Sequence, residues 1–373
     1  MERVALNKML STAILCMSVL TSNLIATSTQ EDESIWQRLD AVIESWIGEL
    51  NLYEAMESFN DWLTTILPFD IEPEEQELTE PSLPELDEPG TQQFAIHNIE
   101  LGDVRDDVQA EVGEGQRATL NEYGVDWEAY HEDYHQFIMV SYDEQDQVRA
   151  LFTNQELVTS EFGIEHGSSR QSVQDALGEP LEVMTKGLMR YQINSNGEYD
   201  VYELDGSYVT IFYDQHQDQT VTAIQIIDES LEQQRSEFYA DESQELIEGF
   251  EYQLFDLTNA ARVQHGLSVL TWSEEVRFTA REHSEDMAQN GYFDHNNQAG
   301  QTPFDRMEED NISFTRAGEN LAYGQASSIF AHEGLMNSLG HRENIVESQF
   351  ERLGVGVAIN EDNQPYFTEK FYR

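Results

Sequence analysis

Lysine is almost missing from this chain. Three occur in 373 residues, Lys8, Lys186 and Lys370, and lysine plus arginine reach only 19 against 73 aspartates and glutamates, a formal net charge of −54. So acidic a chain repels phosphates and has no basic patch from which counterions would be released, which excludes nucleic acid as a partner. Cysteine is scarcer still: the single Cys16 excludes a disulfide framework and a cysteine-based zinc site. A phosphate-cradling glycine loop, an HExxH pair and a dinucleotide fingerprint are all absent, so no organic cofactor is expected. The nearest candidate, Gly354-x-Gly356, reads as tight packing within a strand. No acidic stretch has the spacing of a calcium loop.

Hydrophobic residues make up 39% of the chain and aromatics 10%, enough to build cores despite the charge. The acid excess reads as a solvation device suited to concentrated salt, where repulsion is screened within roughly 3 Å at 1 M. A halophilic source is therefore expected. At the N-terminus, Arg3 and Lys8 precede an apolar run, Met9 to Ala26, with no charge between Lys8 and Glu31. Residues 1–28 thus have the layout of a secretory signal, or of an uncleaved membrane anchor. Both readings place the bulk of the chain at the cell surface or outside it.

Helical spacing of Ile35, Trp36, Leu39, Val42, Ile43 and Trp46 predicts a helical segment over 34–67. Residues 68–91, rich in glutamate and holding five of the eight prolines, read as an extended acidic linker. A repeat follows at an offset of 65 residues: Gly102 to Glu114 aligns without gaps to Gly167 to Glu179. Each copy reads as a glycine turn, a short helix and a glycine stop. Strand-like pairs come next, Phe137–Tyr142 with Val148–Phe152, and Tyr208–Tyr213 with Val221–Ile226. Residues 92–230 are therefore expected to form one α+β domain of two similar halves, with no catalytic constellation. From 242 to 373 the pattern predicts helices around a small antiparallel sheet. One helix ends at His265-Gly266, a second starts near Thr271 and Glu274, a short one starts at Thr302-Pro303, and another at Ser327 or Ser328.

Polar residues of this last segment fall in distinctive words: Phe293-Asp294-His295, Gly318-Glu319-Asn320-Leu321-Ala322, Glu333-Gly334-Leu335-Met336-Asn337-Ser338 and Gly340-His341-Arg342-Glu343-Asn344-Ile345. With Thr302 to Met307, Leu353 to Val357 and Pro365 to Thr368, they resemble the CAP superfamily (the SCP-like extracellular domain) in its bacterial form, over roughly 248–373. The repeat region resembles the CAP-associated domain that precedes such domains. The resemblance implies an α+β protein whose C-terminal domain is an α-β-α sandwich with an open cleft. It maps the family's cleft tetrad onto His295, Glu319, Glu333 and His341, with Asn320, Ser338, Arg342 and Asn344 as supports. Two imidazoles and two carboxylates suit a divalent cation such as zinc, magnesium or calcium. Leu335 and Leu339 depart from the pattern, standing where tryptophan and proline are usual. His283, on the second helix, reads as a packing residue.

Three functions are left open. The first is a surface or secreted module binding a metal and a small lipid, peptide or envelope component. The second is a metal-dependent, peptidase-like hydrolase with Glu319 or Glu333 as general base. The third is a non-catalytic envelope scaffold.

Overall fold

A computed structural model of the chain describes residues 84–186, 189–235 and 237–373. The apolar segment 1–28, the helical segment 34–67 and the linker as far as residue 83 lie outside the described residues.

The repeat read from the sequence becomes two matching helices, α1 (Arg105–Val112) and α2 (Arg170–Leu177). Each buries one valine, Val108 or Val173, in a common core. Each stops at a glycine with positive φ, 82° at Gly113 and 83° at Gly178, a conformation that side chains disfavour. The strands have more to do with unity than with halves. The first copy gives β2 (Arg117–Leu120), β3 (Asp126–Glu132), β4 (His135–Tyr142) and β5 (Val148–Thr153). The second gives β9 (Tyr199–Leu204), β10 (Ser207–Asp214) and β11 (Thr220–Asp228). They join into one antiparallel sheet, order β2-β3-β4-β5-β11-β10-β9, the copies meeting where β5 pairs with β11. Two small pairs flank it: β1 (Phe94–Ile96) with β6 (Val158–Ser160), and β7 (Val183–Lys186) with β8 (Met189–Gln192). The short α3 (Glu229–Gln234) follows β11.

The C-terminal domain runs through α4 (Gln244–Gln264), β12 (Thr271–Trp272), α5 (Glu274–Asn290), α6 (Pro303–Glu309), β13 (Ala317–Tyr323), α7 (Ser328–Met336), α8 (Leu339–Ile345), β14 (Arg352–Ile359) and β15 (Pro365–Tyr372). The sheet order is β12-β14-β15-β13. Two expectations are corrected. The sheet is not wholly antiparallel, because β12 runs parallel to β14. The cap of α5 is Ser273, whose side chain accepts from the Val276 N–H, not Thr271, which sits in β12. The cap-then-proline start of α6 at Thr302-Pro303 is as read, and the structure adds a capping box, with Thr302 and Asp305 bonded reciprocally. On one face of the sheet lies α5, so close that a Cβ on Gly356 would meet the α5 backbone at Ala280 and Arg281. On the other face, α4, α7 and α8 bury Leu254, Leu335 and Ile345 against Val355, Val357 and Phe367. This is an α-β-α sandwich.

The two domains share a core. One face of the seven-stranded sheet covers α1 and α2. Its other face, with Trp127, Phe137, Phe152 and Phe212, packs against Leu257 and Ala260 of α4 and Ile329 of α7. Gly249 of α4 lets the helix backbone lie directly on the Leu120 carbonyl of β2. Polar bonds tie the seam: Arg117 to Asp256 at 3.0 Å, Tyr134 Oη to Asp256 at 2.9 Å, and Gln253 Nε2 to the Leu120 carbonyl at 3.0 Å.

Candidate functional site

Glu319 is the hub of the site. It sits on β13, where the word Gly-Glu-Asn-Leu-Ala alternates Glu319 and Asn320 to opposite faces of the sheet. The strand was not foreseen, because its apolar residues do not alternate. Glu319 Oε1 meets His295 Nδ1 at 3.0 Å; Oε2 accepts from Lys370 Nζ at 2.7 Å and from an Arg306 guanidinium nitrogen at 2.8 Å. Its side chain is 2% exposed. Burial alone would raise its carboxyl, but the His295 bond and the two cations outweigh this and hold it down at about 2. Lys370, from β15, is itself wholly buried and also donates to the Pro303 carbonyl, at 3.3 Å. Arg306 of α6 donates to the His295 carbonyl at 2.9 Å. The His295 loop is thus fixed through both its ring and its backbone.

An ionised Glu319 orients the His295 ring with its Nδ1 proton toward the carboxylate. In the neutral ring with that tautomer, the lone pair is on Nε2, at the opposite edge of a half-exposed side chain. His341, on α8, lies close enough to His295 for their charges to repel; burial first, and then His295, lowers its pKa. Its carbonyl accepts from Asn320 Nδ2 at 3.1 Å. Asn344 Nδ2 donates to Asn320 Oδ1 at 2.9 Å. Asn320 also donates to Glu369 at 3.0 Å, a buried carboxyl pushed up to about 7 by desolvation. Asn320 and Asn344 therefore tie the His341 backbone to β13.

The other expected members go elsewhere. Glu333 stands in the seam between the domains, hydrogen-bonded to Thr222 and near Asp214 and Arg342, and desolvation pushes its carboxyl up to about 8. Arg342 pairs with Asp214 of β10 at 2.6 Å. Ser338 is the N-cap residue of α8 but makes no side-chain capping bond. The four-residue ion pocket is corrected accordingly: His295, Glu319 and His341 share a locality and Glu333 does not. Among the described residues, no three His, Cys, Asp or Glu side chains are arranged to hold a metal ion. The donor set also does not fit one, since both Glu319 oxygens are already engaged, Oε1 by His295 and Oε2 by Lys370 and Arg306. His283 is a packing residue, bonding the Asp294 carbonyl at 3.0 Å and pushed down to about 4 by burial.

Arg306 and Lys370 were missed as site residues. The one available signal was rarity: in a chain with three lysines, a lysine in a terminal strand flanked by aromatic residues calls for a structural partner. The aromatic strip beside the site went unread as well. Phe293, two residues before His295, lies 5.8 Å from Tyr323 of β13, which lies 4.3 Å from Tyr366 of β15. Phe293 and Tyr323 are 47% and 38% exposed.

Comparison with known proteins bears on the family and the fold. The family described as CAP-associated N-terminal matches residues 101–238, and the cysteine-rich secretory protein family matches residues 255–371. The chain carries a CAP (cysteine-rich secretory protein family) domain preceded by a CAP-associated N-terminal domain. The membrane protein YlbC of Bacillus subtilis (strain 168) is 28% identical over 73% of the chain and 82% of its own length. YkwD of the same organism is 40% identical over 30% of the chain and 43% of its own length. Among solved structures, an extracellular protein containing an SCP domain from Bacillus anthracis str. Ames superposes with a TM-score of 0.65 at 25% identity, covering 79% of this chain and 99% of that one. A cysteine-rich secretory protein from Staphylococcus aureus shares the fold with a TM-score of 0.60 at 13% identity, covering 76% of this chain and 97% of its own. No helix among the described residues is long and apolar enough to cross a membrane. The CAP match starts within α4, and the domain packed against it carries the CAP-associated match.

Proposed function

We propose that this protein works at the outer face of the cell as a binding module, secreted or held by its N-terminal apolar segment. Its CAP cleft takes a hydroxyl- or amide-bearing component of the envelope. The observation that carries this reading is the His295–Glu319 pair, with Glu319 neutralised from behind by Arg306 and Lys370. Such a pair presents one oriented acceptor, His295 Nε2, to a ligand donor, and the exposed rings of Phe293 and Tyr323, backed by the buried Tyr366, offer flat faces for a sugar ring or side chain.

Hydrolysis is less well supported. A carboxylate held at about 2 and bonded by three partners is a weak general base, and Glu333 is neutral in the seam. A relative described as a membrane protein and a structural neighbour described as extracellular favour a surface location. The test is calorimetric titration of soluble peptidoglycan fragments into the wild type and the His295→Ala/His341→Ala variant. Binding by the wild type that weakens at least tenfold in the variant is expected; equal affinity in both would refute the cleft as the site.

A further inference from the structure

An open cavity of about 380 Å³ lies where the two domains meet, a common place for ligand sites. Its floor is the seven-stranded sheet. Tyr208, Thr210 and Phe212 alternate onto one side of β10, with Tyr199 and Val201 beside them on β9. Four residues of strand separate Tyr208 from Phe212, so at about 3.3 Å per residue the floor is roughly 13 Å long. Phe330 of α7 forms a wall, edge-on to Tyr199 and Phe212 at 5.1 and 5.2 Å.

Charges of opposite sign line the two ends of this floor. At the Tyr208 end α3 runs out: Gln233 Nε2 donates to Tyr208 Oη at 3.2 Å, and Arg235 follows two residues later. The Arg235 guanidinium donates to the Phe238 carbonyl and lies over the Tyr123 ring, but it forms no ion pair among the described residues. The acids around it are Glu122 and Glu232. Glu232 is already committed to Lys186 and to the Tyr123 hydroxyl, and burial pushes Glu122 up to about 7. At the Phe212 end stands Glu198, just ahead of β9, its carbonyl accepting from the Tyr213 N–H at 2.8 Å. The Glu198 carboxyl has no hydrogen bond or ion pair among the described residues, and burial raises it with no neighbouring cation to offset this. Glu333, also in the lining, is pushed up to about 8 by burial and adds no charge near neutral pH. The Lys186–Glu232 pair cancels itself. The lining is left with one uncompensated cation and one uncompensated carboxylate, at opposite ends of an aromatic groove.

We propose that this interdomain groove binds a short extended peptide with both termini free, about three or four residues long. Its carboxylate meets Arg235, its ammonium meets Glu198, and its apolar side chains pack among Tyr199, Phe212 and Phe330. A single amino acid holds its two charges too close together to reach both ends.

The probe is L-leucyl-L-alanyl-L-leucine, titrated into the full chain by calorimetry beside its N-acetyl form, its C-terminal amide form and free L-leucine. Saturable binding of the free tripeptide is expected. Each capped form is expected to bind about tenfold more weakly or worse, as the loss of one charge-assisted contact implies, and L-leucine weaker still. Two variants assign the ends. Arg235→Gln is expected to weaken the free tripeptide by the same factor and to leave the amide form unchanged. Glu198→Gln is expected to weaken the free tripeptide likewise and to leave the N-acetyl form unchanged. Neither side chain has an ion pair to lose among the described residues, so both variants are expected to fold. His295→Ala/His341→Ala is expected to bind the tripeptide as the wild type does, so the groove and the cleft stand or fall separately. Loss of binding in that variant would put the peptide in the cleft and overturn the groove. The proposal is equally overturned if the wild type does not bind the tripeptide, if a capped form or L-leucine binds as tightly, or if either charge variant binds it unchanged.

Discussion

Glu319 shows how a buried charge is tolerated in this protein. Two cations and one imidazole surround it, and two of those partners are themselves at least nine-tenths buried. Removing the charge strands them. Glu319→Gln is expected to destabilise the chain by about 3–5 kcal/mol in urea unfolding, because Lys370 and Arg306 lose their counter-charge in a dry place. Adding Lys370→Met to that variant is expected to restore part of the loss. A cation has no comparable opening. Titration of Zn²⁺, Mg²⁺ or Ca²⁺ is expected to give no heat that His295→Ala/His341→Ala abolishes. A wild-type heat lost in that variant would return the ion pocket.

Single titrating residues also set a pH profile. Glu333 is pushed up to about 8, Glu369 and Glu122 to about 7, and Asp256 to about 6, each chiefly by burial. In that window the folded chain holds protons that the unfolded chain has released, so stability falls as pH rises. His332 is pushed down to about 3 and His131 and His283 to about 4, again chiefly by burial. Below the ordinary imidazole value the unfolded chain takes up protons first, so these groups make stability fall as pH drops. Glu319 adds to the acid side, its contribution being lost as pH falls toward 2. The two slopes oppose each other between roughly pH 4.5 and 6.5. Thermal unfolding is therefore expected to show a broad maximum there, with declines above and below; a maximum at pH 8 or higher would contradict the burial of the four acids.

At the scale of elements, the repeat has diverged where it meets the CAP domain. The β4–β5 turn keeps its acid at home, Asp143 pairing with Arg149 at 2.7 Å. The corresponding β10–β11 turn reaches across: Asp214 pairs with Arg342, the Gln215 N–H donates to Asn337 Oδ1 at 3.0 Å, and Asn337 Nδ2 donates to the Tyr213 carbonyl at 3.0 Å. Arg342 follows His341 directly, so the accessory domain grips the helix that carries one cleft imidazole. The α4 backbone lies directly on β2 at Gly249. Gly249→Val is expected to cost on the order of 1–3 kcal/mol by overpacking, read as a lower urea midpoint. If the seam did not bear on stability, the midpoint would not move.

At the scale of the whole molecule, a charge of −54 repels itself in dilute buffer and is screened in brine. The melting temperature is expected to rise as NaCl increases from about 0.1 M, where the screening length is about 10 Å, to 1 M, where it is about 3 Å. A flat profile would remove salt adaptation as the reason for the acids.

Much was legible in the chain because its causes are local. The glycine stops of α1 and α2, the Thr302 cap of α6 and the apolar runs of β10, β11, β14 and β15 are set by neighbours a few residues away, and all appear where the sequence puts them. The family words fixed the sandwich and brought His295 and Glu319 together. Tertiary structure alone decided the rest, because burial and partnership are properties of distant segments. Glu319 and Glu333 are equally acidic in the sequence, yet one meets two cations from α6 and β15 and stays ionised, while the other is shut into a domain seam without a full counter-charge and keeps its proton.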